Sequence, residues 1–323
     1  METMTGESTL TRFNDVQVYV HGLLALAILL LWVTGLPITF HEPFAWLFAI
    51  VSYGHIVTIH VVAGAILVGT GIFYLVYGAL GMVGGLTTLS NVLPGRSDIR
   101  EAIEHLKYLA GAREQPASGK YTFLQKAEIW IIVAETTVMI ATGIVLYAGT
   151  LSPVSPAPAF LIVRDIHAIV AVTMLVGVTF HLFMTHAKEF PLDRSMFTGT
   201  VTLGRACEEW EGWVETSVGY FDVSCPDETH STVLTTSLVV GMILFGVVWT
   251  GVILEYVLSP IPTGGLRIAQ DIAPHALPGG ILGAVYSVGL NIAMLVIFAA
   301  IAALGYGFYD RWTVAPDADA RAD

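Results

Sequence analysis

Six long apolar segments restrict this chain to folds that a lipid bilayer can solvate. Each segment reaches the roughly 20 residues that an α-helix needs to cross the hydrocarbon core, where a helix satisfies its own backbone hydrogen bonds. Only 12% of the residues are charged and 55% are hydrophobic, whereas a soluble domain has about 25% charged residues. The sequence therefore predicts an all-α integral membrane protein whose spanning helices lie near residues 16–39, 56–80, 127–150, 162–186, 231–257 and 279–308.

The basic residues predict the orientation of these helices. If the N-terminus is cytoplasmic, twelve of the fourteen Lys and Arg residues fall in cytoplasmic segments, and only Arg164 and Arg267 fall outside. Basic residues accumulate on the cytoplasmic side of membrane proteins. We therefore expect a multi-pass protein of the cytoplasmic membrane with both termini inside.

Charge and cysteine content exclude several other classes. The 26 acidic residues outnumber the 14 basic ones, which argues against a nucleic-acid partner. Cys207 and Cys225 form no C-x-x-C or C-x-x-C-H motif, so covalent c-type haem, iron–sulfur clusters and zinc knuckles are not supported. Two loop cysteines without a special role are the favoured interpretation, and a disulfide stays open.

Four histidines lie within the apolar segments at two depths. His21 is near the cytoplasmic end of the first helix and His60 is near the outer end of the second. The fourth helix contains His167 near its outer end and His181 near its inner end. Fourteen residues are close to four helical turns, so both side chains point to one side, about 21 Å apart along the axis.

Pairing by depth gives two sites with two imidazoles each. His21 pairs with His181 at the inner level, and His60 pairs with His167 at the outer level. Two imidazoles at one depth can bind a haem iron from both sides, so the spacing predicts two b-type haems stacked across the membrane. Gly64 and Gly177, each four residues from a ligand, leave room for a porphyrin face; close helix packing explains them equally well.

The stretch from Arg12 to Thr198 resembles the gamma subunit, the cytochrome b membrane subunit, of respiratory formate dehydrogenase and the b-type cytochromes of membrane hydrogenases. The second helix carries H-x-x-x-G, and a G-K-Y-x-x-x-Q-K-A segment opens the third. The motifs are Arg12 with His21, His60 to Gly64, Gly119 to Ala127, Thr142 to Ile144, Ile166-His167-Ala168 with His181, and Ser195 to Thr202.

The resemblance implies an electron-transfer and quinone-reactive subunit of an oxidoreductase complex. Such a subunit holds two haem b groups and connects a peripheral enzyme with quinone or menaquinone. An iron–sulfur subunit and a catalytic subunit are expected on the outer face, and a homo-oligomer of the complex is left open. Electrons would flow from the outer haem to the inner one, although a cytoplasmic partner oxidising quinol would reverse the direction.

The same resemblance implies roles for further residues. It places a quinone site near the inner haem, at Gln125, with Lys126, Tyr121 and His186 as neighbours. A helix-entry residue without a ligand is the alternative for Gln125. Arg164, three residues before His167, would pair with haem propionates.

The chain departs from the four-helix family by two additional helices. We expect a dihaem four-helix domain at 1–200, a cytoplasmic or interfacial linker at 201–230, a two-helix membrane segment at 231–312 and a disordered acidic tail at 313–323. Leu203 to Ser217 is either an interfacial helix or a solvated loop. Glu135, inside the third helix, suggests a proton route to the quinone site or a protonated structural glutamate.

The rival interpretation is a transporter whose membrane histidines bind metal ions or relay protons. Such a protein needs polar residues along a path and broken helices at mid-membrane. The mid-membrane stretches of this chain are almost entirely apolar, so we favour the cytochrome. A third interpretation, a structural anchor without haem, leaves the four histidines unexplained.

Overall fold

The computed structural model describes residues 8–83, 91–109, 112, 118–150, 158–187, 193–218 and 279–314. Within these ranges, the helices that are long and apolar enough to cross a membrane are Asp15–Thr39, Tyr53–Gly81, Phe123–Gly149, Ile162–His186 and Gly280–Thr313. The prediction of an all-α integral membrane protein is confirmed. The predicted helix at 231–257 lies outside the described residues.

The described residues form the following elements in chain order. They are β1 (Thr9–Thr11), α1 (Asp15–Thr39), a 3₁₀ turn (Glu42–Phe44), α2 (Ala45–Phe48), α3 (Tyr53–Val83), α4 (Arg96–Leu109), α5 (Phe123–Thr150), α6 (Pro158–His181), a π-helical segment (Leu182–Ala187), α7 (Ser195–Thr198), β2 (Thr200–Thr202), α8 (Leu203–Val218) and α9 (Gly280–Val314).

The chain divides into two compact units; α1, α3, α5 and α6 contribute residues to both, whereas α9 belongs to unit 2. Unit 1 comprises Met1–Val18, Tyr74–Ala134 and Gly177–Val247, and unit 2 comprises Tyr19–Phe73, Glu135–Val176 and Val248–Asp323.

Two membrane helices begin with the same reciprocal cap in unit 1. Asn14 Oδ1 accepts a hydrogen bond from Gln17 N at 2.9 Å, and Asn14 N donates to Gln17 Oε1 at 3.1 Å. Thr122 and Gln125 repeat this arrangement at the start of α5, at 3.2 and 3.1 Å. Such a capping box satisfies backbone donors that the first turn leaves unpaired.

A two-stranded antiparallel sheet ties the N-terminal segment of unit 1 to the segment after α6. Leu10 pairs with Val201, flanked by Thr9 with Thr202 and Thr11 with Thr200. Arg12 N and Phe13 N both donate to Gly199 O. Gly199 has φ 78° and its Cβ would lie 2.7 Å from Phe13 O, so this turn requires glycine.

Helix α8 buries its apolar side within unit 1. Val201, Leu203, Ala206, Cys207, Trp210 and Val214 form one buried cluster. Residues 203–218 are therefore helical on both sides of a kink at Trp210 (φ −137°, ψ 46°) and are packed, so the solvated-loop alternative is wrong. The placement of Cys207 in a loop is also wrong, because it lies buried in this helix. Cys225 lies outside the described residues.

The buried guanidinium of Arg12 holds this cluster against the connection before α5. It lies 3.3 Å from the centroid of the Trp210 ring, and its Nη2 donates to Lys120 O at 3.2 Å. Burial lowers the pKa of Arg12 to about 10. Trp210 is fully buried, so this cation–π contact is shielded from water and correspondingly strengthened.

In unit 2, the additional helix α9 packs against α1. A Cβ atom on Gly22 of α1 would collide with the Phe308 ring of α9. Further along, Trp312 Nε1 donates to Tyr19 OH at 3.2 Å. At the other end of α9, Asn291 accepts from Trp46 Nε1 at 2.9 Å.

Candidate functional site

Two of the predicted ligands, His60 of α3 and His167 of α6, meet in unit 2. Their ring centroids are 6.4 Å apart and the ring planes are inclined by 68°. The sequence predicts this outer pair from depth alone, and the structure brings the two side chains together.

A threonine hydroxyl orients each of these rings. Thr34 Oγ1 lies 2.8 Å from His60 Nδ1 and donates to Leu30 O at 2.7 Å. Thr142 Oγ1 lies 2.8 Å from His167 Nδ1 and donates to Val138 O at 2.7 Å. Because each hydroxyl uses its proton on a backbone carbonyl, it accepts the Nδ1 proton of the imidazole. Each ring therefore carries its lone pair on Nε2, the atom that ligates a metal.

A glycine follows each of these threonines and lets the ring approach the helix. A Cβ on Gly35 would lie 3.2 Å from His60 Cε1, and a Cβ on Gly143 would lie 3.5 Å from His167 Cε1. The same Thr-Gly pair thus supports both ligands from α1 and from α5. The dipeptide Thr-Gly occurs at both positions of the sequence. Only the one within Thr142 to Ile144 was recognised there, and Thr34 and Gly35 were not.

The outer pair fits a haem iron held from both sides. Two metal–nitrogen bonds of about 2 Å, in line with two imidazole rings, separate the ring centres by roughly 6 Å, close to the observed 6.4 Å. A Cβ on Gly64, one turn after His60, would have only Leu31 Cδ2 within 4 Å, at 4.0 Å. This side of α3 therefore leaves space for a flat macrocycle.

The inner candidate His181 lies in unit 1 beside a carboxylate. Glu128 Oε1 is 3.3 Å from His181 Nδ1, and Thr185 Oγ1 is 3.4 Å from the same nitrogen. Carboxylates and hydroxyls next to Nδ1 orient metal-binding imidazoles and raise their basicity. Both contacts are made to Nδ1 of His181, and its role as a ligand stays a prediction.

His181 ends α6, and the chain continues as the π-helical segment Leu182–Ala187. Such segments occur often at functional sites. The segment contains His186, whose ring centroid is 5.8 Å from that of His181 at an interplanar angle of 87°. His186 Nδ1 lies 3.1 Å from Asp193 O.

The predicted partner of His181, His21, belongs to α1 in unit 2. The pairing of His21 with His181 stays a prediction. Gly177 lies in α6 one turn before His181, as its proposed role at a porphyrin face requires.

Arg164 makes an ion pair at the outer end of α6. Its Nη2 and Nε lie 2.8 and 3.1 Å from Asp165 Oδ1. The guanidinium has other nitrogen donors for a haem propionate. Its role there stays a prediction.

The quinone candidates of unit 1 each engage a protein group. Gln125 Oε1 belongs to the cap of α5 and also accepts from Trp210 Nε1 at 3.3 Å. Lys126 Nζ is 2.7 Å from Asp98 Oδ1. Burial raises the pKa of Tyr121 to about 12, so its phenol stays protonated. The helix-entry alternative thus describes one role of Gln125, and a quinone contact stays a prediction.

Two carboxylates of α5 each keep one buried oxygen atom without a hydrogen bond: Glu135 Oε2, and Glu128 Oε1, whose 3.3 Å approach to His181 Nδ1 is an ion-pair contact without hydrogen-bond geometry. Glu135 hydrogen-bonds the side chain of Thr173. Their spacing of seven residues puts both on one side of the helix, about 10 Å apart along the axis.

The other histidines lie away from these sites. His55 Nδ1 is 2.6 Å from Ser52 Oγ, and His41 stacks on Phe48 at 3.8 Å. His105 belongs to α4 and packs edge-on against Phe123 at 5.5 Å. His230 and His275 lie outside the described residues.

Comparison with known proteins identifies the family. The family described as prokaryotic cytochrome b561 matches residues 12–199, more than half of the chain. The cytochrome b556 subunit of formate dehydrogenase from Haemophilus influenzae is 25% identical over 200 residues, which cover 61% of this chain and 79% of that protein. The matched range contains all four candidate ligands and both Thr-Gly pairs, whereas α9 lies beyond it. The chain therefore belongs to the prokaryotic cytochrome b561 family and is a multi-pass, all-α membrane cytochrome b with an electron-transfer role.

Proposed function

We propose that the chain is a dihaem subunit that carries electrons between a peripheral redox enzyme and membrane quinone. The observation that carries this proposal is the 6.4 Å approach of His60 and His167, with both Nδ1 atoms engaged by threonine hydroxyls. His60 and His167 hold the outer haem b, and His21 and His181 hold the inner one. A haem supplies one-electron redox chemistry, and the protein sets its potential through these ligands and their surroundings.

The residues around the ligands hold them and exclude water. The threonine hydroxyls keep the Nε2 lone pairs of His60 and His167 directed away from α1 and α5. The Thr185 hydroxyl performs the same task for His181, and the Glu128 carboxylate lies beside the same nitrogen. Arg164 neutralises propionate charge at the outer end, and Gly64 and Gly177 leave space beside the macrocycles.

Quinone or menaquinone binds near the inner site, close to the π-helical segment. His186 and Lys126 provide nitrogen donors and the Gln125 amide provides a further one, while Glu128 and Glu135 provide a carboxylate route for protons. Protons are taken from the cytoplasm if both termini are cytoplasmic. Replacing Glu135 with Gln should slow quinol formation in proteoliposomes while haem content stays unchanged; an unchanged rate would favour a structural glutamate.

The partner is an oxidoreductase with an iron–sulfur subunit and a catalytic subunit docked on the outer loops. The relative in Haemophilus influenzae is named as a subunit of formate dehydrogenase, which supports a complex of this kind. Residues 1–200 form the dihaem domain, and residues 231–312 form an added membrane segment. Deleting residues 231–323 should weaken complex assembly; unchanged assembly would show that the added helices have another role.

Haem content tests the proposal directly. The purified chain should show a b-type reduced-minus-oxidised spectrum and two haems per chain. His167→Ala and His181→Ala should each lower the content to one. His55→Ala, a change of an exposed histidine in α3, serves as the matched control and should retain two. A purified chain without haem would instead favour a transporter whose histidines relay protons or bind metal ions.

A further inference from the structure

Helix α4 presents three different faces. At about 100° per residue, Asp98, Glu101 and His105 lie on one side, Ile99, Ile103 and Leu106 on a second, and Arg96, Arg100 and Lys107 on a third. The apolar residues span an arc of about 60° and the basic ones an arc of about 40°. The two arcs adjoin each other, so α4 is amphipathic with a basic flank.

The acidic side of α4 is bound to the first turns of α5 within unit 1. Lys126 Nζ lies 2.7 Å from Asp98 Oδ1. Glu101 Oε1 accepts from Ser118 Oγ at 2.7 Å and from Phe123 N at 3.1 Å. Asp98 and Glu101 are therefore used internally. Glu104 pairs with Lys107 at 2.7 Å, so Arg96 and Arg100 are the residues that give the flank its outward basic charge.

These contacts also set the depth of α4. Trp130 Nε1, two turns into the spanning helix α5, donates to Val92 O at 2.9 Å. His105, near the other end of α4, packs against Phe123, the first residue of α5. Helix α4 therefore runs alongside the first two turns of a membrane helix, which is the level of the lipid headgroups and the upper acyl chains.

The apolar face of α4 is uncovered at this level. Ile99, Ile103 and Leu106 are 65%, 48% and 65% exposed. An open groove of about 540 Å³ continues from this face between α4 and α5, with Ile99, Ala102 and Phe123 in its lining and Arg96 and Lys126 at its sides. Exposed apolar side chains of this size are costly in water but favourable in lipid.

We propose that α4 is an interfacial helix that binds anionic phospholipid. Ile99, Ile103 and Leu106 enter the boundary between headgroups and acyl chains, and Arg96 and Arg100 bind lipid phosphates. Guanidinium groups suit phosphate oxygens geometrically, and basic residues beside a membrane helix favour anionic headgroups. The basic flank stands out in a chain with a net charge of −12. This site is independent of the haem ligands.

Fluorescence quenching in nanodiscs tests the depth of α4. The full chain with Cys207→Ala and Cys225→Ser receives a bimane label at Ile103→Cys, or at the exposed Ser97→Cys, about 120° away around the helix. A shallow spin-labelled lipid should quench the label at position 103, whereas aqueous iodide should quench the label at position 97. If iodide quenches position 103 as strongly as position 97, the face is open to water, which would favour a protein partner and overturn the proposal.

The headgroup preference has its own test with the same label at position 103. Spin-labelled phosphatidylglycerol should quench more strongly than spin-labelled phosphatidylcholine, by about twofold to fivefold, since one basic residue near an anionic surface contributes up to roughly fivefold. Arg96→Gln with Arg100→Gln should abolish the preference, while Glu104→Gln should keep it. Equal quenching by both lipids in the unsubstituted helix would refute the anionic site, whatever the haem content.

Discussion

Thr34 Oγ1 lies 2.8 Å from His60 Nδ1 while it donates its own proton to Leu30 O. This relationship fixes which nitrogen of His60 carries a proton and which one carries the lone pair. Thr142 Oγ1 lies at the same distance, 2.8 Å, from His167 Nδ1. Both candidate ligands of this pair are therefore oriented in the same way, each by a threonine of another helix.

Thr34→Val should raise the midpoint potential of the outer haem. Without the threonine hydroxyl as acceptor for its Nδ1 proton, His60 becomes a less basic ligand and stabilises ferric iron less well. We expect a rise of up to about 60 mV, the equivalent of a tenfold change for one electron, measured by redox titration of the purified chain. Thr34→Ser keeps the hydroxyl and should restore the original potential. Equal potentials for all three proteins would show that the hydroxyl only fills space.

Gly35→Val should lower the occupancy of the outer haem. A Cβ at this position would already lie 3.2 Å from His60 Cε1, so two further methyl groups must displace the ring. The measurement is haem per chain, which should fall from two towards one. Gly69→Val in α3 is the matched control, because a Cβ there meets nothing within 4 Å. Full occupancy in Gly35→Val would contradict the close approach of ring and helix.

Gly22→Ala should destabilise the packing of α9 on α1. The new methyl group collides with the Phe308 ring, and overpacking costs about 1–3 kcal/mol. A lower thermal midpoint in detergent, followed by circular dichroism, would report this. Phe308→Leu in the same chain should recover part of the loss, and Gly305→Ala, where a Cβ meets nothing within 4 Å, should have little effect. Failure of the double variant to recover would argue against this contact.

Acid should loosen α4 from α5. Burial alone would raise the pKa of Asp98, but hydrogen bonds from Lys126 and from Gly95 N outweigh it and hold the pKa below its ordinary value. A lowered folded-state pKa contributes stability above the unfolded value of about 3.9, and this stability is lost as pH falls through the folded value. Amide exchange in α4 should therefore speed up below about pH 4 relative to α9.

Asp98→Asn provides the control for this acid response. Its α4 amides should exchange faster already at neutral pH, because the ion pair with Lys126 is gone, and should lose the additional acid response. An acid response that persists in Asp98→Asn would assign it to Glu101 or Glu104 instead.

The sequence predicted the membrane helices closely because a long apolar stretch has few alternatives to spanning a bilayer. The first helix was expected at 16–39 and is found at Asp15–Thr39. The pairing of His60 with His167 could also be predicted from the sequence, since residue spacing determines both the helical face and the membrane depth of each histidine. The distances from these two rings to Thr34 and Thr142 could not be predicted, because they depend on which helices are neighbours.

The features that the sequence analysis missed are short or depend on distant residues. Strands β1 and β2 have three residues each, too few for a recognisable alternation, and their pairing joins segments about 190 residues apart. Helix α4 carries its apolar residues among charges, so its composition resembles that of a solvated loop. The cap formed by Thr122 and Gln125 appears in the sequence as T-x-x-Q, a pattern typical of a helix start. The family resemblance predicted a quinone contact for Gln125 instead.

The pairing of β1 with β2 imposes an order on biogenesis. Thr9–Thr11 leaves the ribosome before any spanning helix, yet its partner Thr200–Thr202 follows the fourth. At about 5–20 residues per second, the N-terminal strand waits roughly 10–40 s for that partner. Strand β1 can therefore pair with β2 only after α1, α3, α5 and α6 have been synthesised. A haem that enters from the side of this sheet has that interval in which to do so before the strands pair.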